Sequence, residues 1–269
     1  VHSRPTRPPP IWRNDRAVAR VARHMGDSFG SAWWRGYAAQ LRAIAEARRP
    51  DHLAIMPLAE TLEALGKQTE LDEGVYDVPL EGVVGTVARA GDFDREFRPR
   101  NRALRDRWEH LTRTSADLPP VRLVRLSDMF FVEDGHHRVA IARARGARVI
   151  RARVRWISTV ACALRCLTLA DLPSKTAERM FLERVPLPDD VRLGLWLDDP
   201  ADWFRLADSA EAWGFRRMLA GRPVRSRGEL AEAWWREEVG PVLEQVKQRG
   251  LCPPPRDIQT YLSYGLDHV

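Results

Sequence analysis

The sequence predicts an α+β fold, a small mixed sheet with helices that is preceded by a helical N-terminal extension and followed by a helical C-terminal region. Three observations predict it. Strand-like runs cluster between residues 76 and 156, interrupted by helical stretches near 101–112 and 137–145. Helical spacing dominates residues 15–47 and everything beyond about 160. A chain of 269 residues with 44% hydrophobic content can bury an ordinary core in two modest domains. The expected divisions are a basic helical extension at 1–70, a sheet domain at 71–165 and a helical domain at 166–269.

Each element has a local reason. Residues 2–10 are rich in proline and arginine and are expected to be extended or disordered. Val18, Val21, Ala22 and Met25, then Trp33, Tyr37, Leu41 and Ile44, predict two helices broken between Gly26 and Gly30. Residues 1–50 carry ten arginines against three acids. This basic, aromatic-bearing part is read either as a nucleic-acid module or, preferably, as an extension that packs Trp33 and Tyr37 inward and leaves its arginines in water.

Residues 57–65 read as a short helix, 76–87 as a strand with a tight turn at Gly85, and 101–112 as a charged helix with Leu104, Trp108 and Leu111 on one side. Residues 121–126 and 129–132 form a hairpin around Ser127-Asp128. In 148–156, Ile150, Ala152, Val154 and Trp156 alternate with Val149, Arg151, Arg153 and Arg155. The three arginines either line a phosphate-bearing groove or sit on a solvated sheet face. Helices follow at 167–183, 200–219, 226–249 and 256–268, with a capping box at Ser226-Arg227-Gly228-Glu229. Trp196, Trp203, Trp213, Trp234 and Trp235 are expected to anchor the core of this region.

Charge and cysteine content narrow the function classes. The net charge of +6 comes from 40 arginines and three lysines against 37 acids, a bias that nucleotide composition alone can produce. Residues 171–269 hold 14 basic and 17 acidic side chains, so a polyanion site belongs to the N-terminal part. No apolar run is long enough to span a membrane and no secretory signal core is visible, so a cytoplasmic protein without membrane partners is expected. Three cysteines do not make a disulfide framework, and Cys162 and Cys166 lack further ligands for a zinc site; no metal ligands are assigned.

The most informative stretch is Met129-Phe130-Phe131-Val132-Glu133-Asp134-Gly135-His136-His137-Arg138, where an apolar strand meets a glycine and an Ala-rich helix that stops at Gly146. The free N–H groups of a helix's first turn, approached across a glycine, make an anion site, and Arg138 can add a bidentate phosphate contact. This strand, turn, helix and the following strand resemble the ParB/sulfiredoxin superfamily of chromosome-partitioning CTPases, sulfiredoxins, free serine kinases and nuclease-like proteins. The resemblance implies that Gly135 and Arg138 hold nucleotide phosphates. Sulfiredoxins carry a cysteine where this chain has His136, and Asp134, Gly135, His136 and Arg138 match the Asp-Gly-His-x-Arg turn of free serine kinases. Residues 78–87 and 92–99, with Ala233-Trp234-Trp235 and the segment from Asp257 to Leu262, resemble a bacterial branch with a helical C-terminal region.

These readings give the expected function: a nucleotide-binding protein that acts as a nucleotide-dependent phosphotransferase or ATPase. A nucleotide-gated DNA-binding regulator and a ParB-like nuclease are the alternatives. The expected cofactor is a nucleoside di- or triphosphate (ATP, ADP or CTP) with magnesium, and the expected partners are a small hydroxyl-bearing substrate and, through the basic N-terminal part, nucleic acid. Candidate binding residues are Gly135, His136, His137 and Arg138, with Thr86 and Arg89 reaching from the Gly85 turn. Candidate catalytic residues are Asp134, His136, Glu81, Asp92 and Asp94.

Overall fold

The computed structural model describes residues 28–46, 50–113, 119–248 and 257–265. The expected extended segment at 2–10 and the first N-terminal helix lie outside these residues. Strands β1 (Met56–Pro57), β2 (Lys67–Pro79), β3 (Val83–Thr86), β4 (Val121–Leu126), β5 (Met129–Asp134) and β6 (Val149–Thr159) form a mixed sheet in the order β1-β3-β5-β4-β6-β2. The fold is α+β with helical extensions, and the sheet already begins at Met56.

The β4–β5 hairpin forms as its sequence implies, with Leu126 opposite Met129 and Ser127 in the left-handed region at φ 50°. Its apolar run makes β5 a central strand, parallel to β3 and antiparallel to β4. The single strand expected at 76–87 is instead two. Strand β2 ends at Pro79, a helical turn occupies Leu80–Gly82, and β3 continues on the far side of the sheet. Gly85 therefore makes no turn. It sits in β3, where a Cβ would lie 2.1 Å from Phe131 Cδ1 and 2.7 Å from the Met56 carbonyl, so glycine is what lets β3 slot between β1 and β5.

The arginine face of β6 is matched by acids across the β2 pairing. Arg151 meets Asp77 at 3.5 Å, Arg153 meets Asp72 at 3.0 Å and Arg155 meets Glu70 at 2.5 Å. The phosphate-groove reading of these three arginines is thereby replaced by a ladder of largely solvated ion pairs, each contributing little to stability.

Helices α1 (Phe29–Ala45), α3 (Arg105–Arg113) and α4 (His136–Ala144) cover one face of the sheet, with Phe29, Phe93, Phe97, Trp108 and Val139 in the shared core. Helix α2 (Leu58–Leu65) contributes Leu58 and Leu65 to the other core, which also holds Phe131, Ile157 and Leu167. The inward face of α1 differs from expectation. It buries Phe29, Ala32, Gly36 and Ala43, while Tyr37, Leu41 and Ile44 are exposed. Trp33 is partly buried, stacked on Tyr37 at 5.6 Å and covered by the Arg102 guanidinium at 4.8 Å.

The C-terminal helices are α5 (Leu172–Arg184), α6 (Asp189–Arg192), α7 (Pro200–Leu219), α8 (Arg227–Trp234), α9 (Gly240–Gln248) and α10 (Asp257–Gly265). A π-helical turn at Trp235–Val239 joins α8 to α9. Trp203 and Trp234 are fully inside this helical core, with Trp213 and Trp235 against its rim. Ser226 caps α8 by accepting from the Glu229 N–H at 3.1 Å, but the Glu229 carboxylate accepts from Arg225 at 2.7 Å, one residue before the capping-box position.

The helical region is joined to the sheet domain. Helix α5 packs on α2, Arg192 donates to the Val160 carbonyl, and Glu178 accepts from the Cys162 N–H at 3.1 Å. Truncation after residue 165 strips α5 from α2 and removes Leu167 from the sheet core. The shortened chain is expected to aggregate or express poorly, as size-exclusion chromatography of the fragment beside the full chain would show. A monomeric fragment with a cooperative melt would prove the two parts independent.

Candidate anion-binding site at the strand-to-helix turn

The site is built where β5 runs into α4. Gly135 adopts φ +96°, and a Cβ there would meet Val121 Cγ1 at 2.5 Å and the Arg138 guanidinium at 2.9 Å, so only glycine fits. The first helical bond of α4 runs from the Val139 N–H to the Gly135 carbonyl. No side chain caps the helix. The N–H groups of residues 136–138 therefore have no partner within the helix, and the positive end of its dipole faces outward. Over this turn opens a cavity of about 750 Å³, bounded by Arg89, Leu104, Arg107, Gly135, His137 and Arg138 among others.

Arg138 is mostly buried. It folds back over Gly135, donates to Asp134 Oδ2 at 2.8 Å and also donates to the Pro119 carbonyl. The expected phosphate ligand is thus also a strut that fixes the turn, and Asp134, largely exposed, is its ion-pair partner.

His136 is buried, and its Nε2 lies 2.7 Å from Thr86 Oγ1. That hydroxyl accepts from the Ala88 and Arg89 N–H groups at 3.3 and 3.1 Å, which occupies both of its lone pairs. Its proton must then go to His136 Nε2, which leaves the imidazole proton on Nδ1. Burial and the Arg89 charge push His136 down to about 4, so it is neutral at pH 7 with its Nε2 lone pair in use. His136 positions the loop that carries Arg89; a proton shuttle near neutral pH does not fit this arrangement. Thr86 is enclosed beneath the loop and does not line the cavity.

His137 lines the cavity, is buried, and has an Nε2 without a hydrogen-bond partner among the described residues. Burial, Arg89 and Arg107 push it down to about 4 as well. Phe93 packs on both rings, parallel to His136 at 6.1 Å and edge-on to His137 at 5.6 Å.

The other expected acids lie apart. Glu81 is exposed and paired with Arg165 at 2.7 Å, and Asp92 pairs with Arg89 at 3.3 Å; neither lines the cavity. Asp94 is buried, accepts from the Glu96 and Arg98 N–H groups at 2.9 and 2.8 Å, and has its carboxyl pushed up by burial. It fastens the 94–98 loop. Of the five candidate catalytic residues, only Asp134 and His136 line the cavity. Among the described residues, no group of three or more His, Cys, Asp or Glu side chains is placed to hold a metal ion.

Two residues of the site were not anticipated. Arg107 lines the cavity from α3, and nothing in the spacing of 101–112 separates it from its arginine neighbours. Arg143, behind the turn, donates to the carbonyls of Leu80, Val83 and Arg95. It did leave a signal. A charge four residues after Val139 and three after Ala140 falls on the buried stripe of α4.

No family model and no curated protein matches this chain. Among solved structures, the sulfiredoxin of Arabidopsis thaliana is similar over 31% of this chain and 86% of its own, at 15% identity and a TM-score of 0.23. A score that low carries no argument.

The two histidines predict an acid-sensitive fold. Above the unfolded-state value near 6.5 both rings are neutral in either state and cost nothing. Between pH 6.5 and about 4 the unfolded chain takes up protons that the folded chain refuses, so stability falls as pH falls across that window. Denaturant melts at pH 7, 5.5 and 4.5 should show this loss, with a shallower dependence in His137→Gln. Equal slopes in the two proteins would rule out His137 as a contributor.

Proposed function

We propose that this protein binds a nucleoside di- or triphosphate, with the phosphates at the Gly135 turn and the remainder of the ligand along the wall formed by Ala103, Leu104 and Leu111. One observation carries the reading: the free N–H groups of α4 open, across a residue that only glycine can be, into a ligand-sized cavity flanked by Arg89 and Arg107. The likeness of Asp134-Gly135-His136-His137-Arg138 to the phosphate turn of the ParB/sulfiredoxin superfamily points the same way. The donor set fits such a ligand, since Arg138, Arg89 and the helix terminus all favour a phosphate oxygen. Magnesium, if it accompanies the nucleotide, supplies charge neutralisation on the phosphates, and Asp134 and Glu133 are the carboxylates of the lining.

The finer reading is phosphoryl transfer to a small hydroxyl compound. Asp134 is the exposed carboxylate at the cavity and would take the hydroxyl proton as the oxygen attacks the terminal phosphorus and the nucleotide leaves one phosphate shorter.

A thermal-shift comparison of ATP, ADP, CTP and GTP, with and without magnesium, tests binding; a ligand at 100 times its dissociation constant stabilises by about 2.7 kcal/mol. Arg138→Ala is expected to lose this ligand-induced shift and, through its bonds to Asp134 and Pro119, to melt lower by itself. Absence of any shift in the natural sequence, or a full shift in Arg138→Ala, would refute the proposal. For transfer, Asp134→Asn should lower turnover about 100-fold with nucleotide affinity little changed. Undiminished turnover in that variant would leave the proton acceptor elsewhere.

A further inference from the structure

The cavity over the glycine turn is far larger than one phosphate needs, and it has a second cationic wall. Three arginines project from α3, and they are not equivalent. Arg105 and Arg113 are both tied to Glu109, at 3.4 and 3.5 Å, within the helix's own surface. Arg107 lines the cavity and has no ion-pair or hydrogen-bond partner among the described residues. A guanidinium carries five donors in a planar fork and no acceptor, so this fork is free to take an oxyanion.

The surroundings of Arg107 agree. Arg89, on the other flank, pairs with the partly exposed Asp92 at 3.3 Å, its one ion pair among the described residues. Both arginines act on His137, whose ring stays neutral and whose Nε2 is buried without a partner among those residues. Of the two acids in the lining, Asp134 is paired with Arg138, and Glu133 is paired with Arg122 at 2.7 Å and Arg155 at 3.3 Å. The lining acids are therefore already paired with other cations, and among the described residues the charge of Arg107 has no paired acid. An anion bound between it and the turn would supply that pairing.

We propose that Arg107 is a specificity-determining residue. It provides a second anion subsite, separate from the glycine turn, so that the cavity selects ligands with two or more linked phosphoryl groups over those with one. This rests on the phosphate reading of the turn. The turn alone would accept any single phosphate, whereas the pair of subsites counts them.

Calorimetric titration of the full chain with inorganic phosphate, pyrophosphate and tripolyphosphate tests the selection without any assumption about the base. The natural sequence should bind pyrophosphate at least about tenfold more tightly than orthophosphate, the scale of one added charge-assisted bond. Arg107→Ala should erase that preference while orthophosphate affinity stays within about twofold, and Arg107→Lys should recover part of it. Arg113→Ala, which removes a charge from the same helix, should leave both affinities as they were. Arg107 is solvent-facing, so equal melting midpoints of the unliganded proteins will confirm that the variants fold. An undiminished pyrophosphate preference in Arg107→Ala overturns the inference, as does an equal loss for both anions. If the natural sequence binds none of the three anions, the phosphate reading of the turn fails first and the inference falls with it.

Discussion

A single, largely enclosed charge holds the site in shape. The Arg143 guanidinium, on the last turn of α4, reaches the carbonyls of Leu80 and Val83 where the chain leaves β2 for β3, and the carbonyl of Arg95 together with the Glu96 carboxylate. Burying such a group costs several kcal/mol unless its donors are met, so the three segments have little choice but to converge on it. Phe97 lies over the same guanidinium at 5.4 Å. The back end of the helix is thereby pinned to the segments that supply Thr86, Arg89 and Phe93 to its front end.

The loop between β3 and α3 is stiffened from within. Asp94 accepts two backbone N–H groups and the Arg98 side chain, and Phe97 is held at φ +57°, a conformation a bulky residue rarely adopts. That geometry turns Phe93 and Phe97 toward the histidines of the turn. Thr86 completes the arrangement by linking the His136 ring to the backbone of Arg89. The cavity-facing surface is therefore tied together by the fold itself, which would reduce the ordering that binding of a ligand requires.

Much of this was legible in the sequence, and the exceptions share a cause. The hairpin at Ser127, the helix after Gly135, the Trp108 face of α3 and the core tryptophans Trp203 and Trp234 follow from local periodicity and turn chemistry, whereas Trp196 stays outside the helical core. What periodicity does not encode is contact between distant segments. Gly85 reads as a turn residue by composition, yet its role is to admit the Phe131 ring from a strand far along the chain. Asp94 reads as one of a row of acids, yet its burial makes it a structural acceptor. The stripe Trp33, Tyr37, Leu41 and Ile44 has good helical spacing, but the surface it meets in the fold favours the small residues Ala32 and Gly36. The strand-to-helix geometry of Asp134 to Arg138 is legible because it is local; Arg107 and Arg143 acquire their positions from tertiary placement.

The ladder of charges between β2 and β6 has a consequence for the molecule in a crowded solution. Strand β2 is the outermost of the sheet and thirteen residues long, so its outer row of backbone groups offers a template to any passing strand. Glu70, Asp72 and Asp77 of β2 pair with arginines of β6 and so line this side of the strand with charge, although Leu71 and Val75 are exposed on it as well. At Gly74, φ +83° and a slip in register twist the ribbon, while Asp72 takes the glycine N–H at 2.9 Å. Ion pairs too weak to hold the fold together thus place charge beside its longest edge strand, a composition that disfavours pairing with a second sheet.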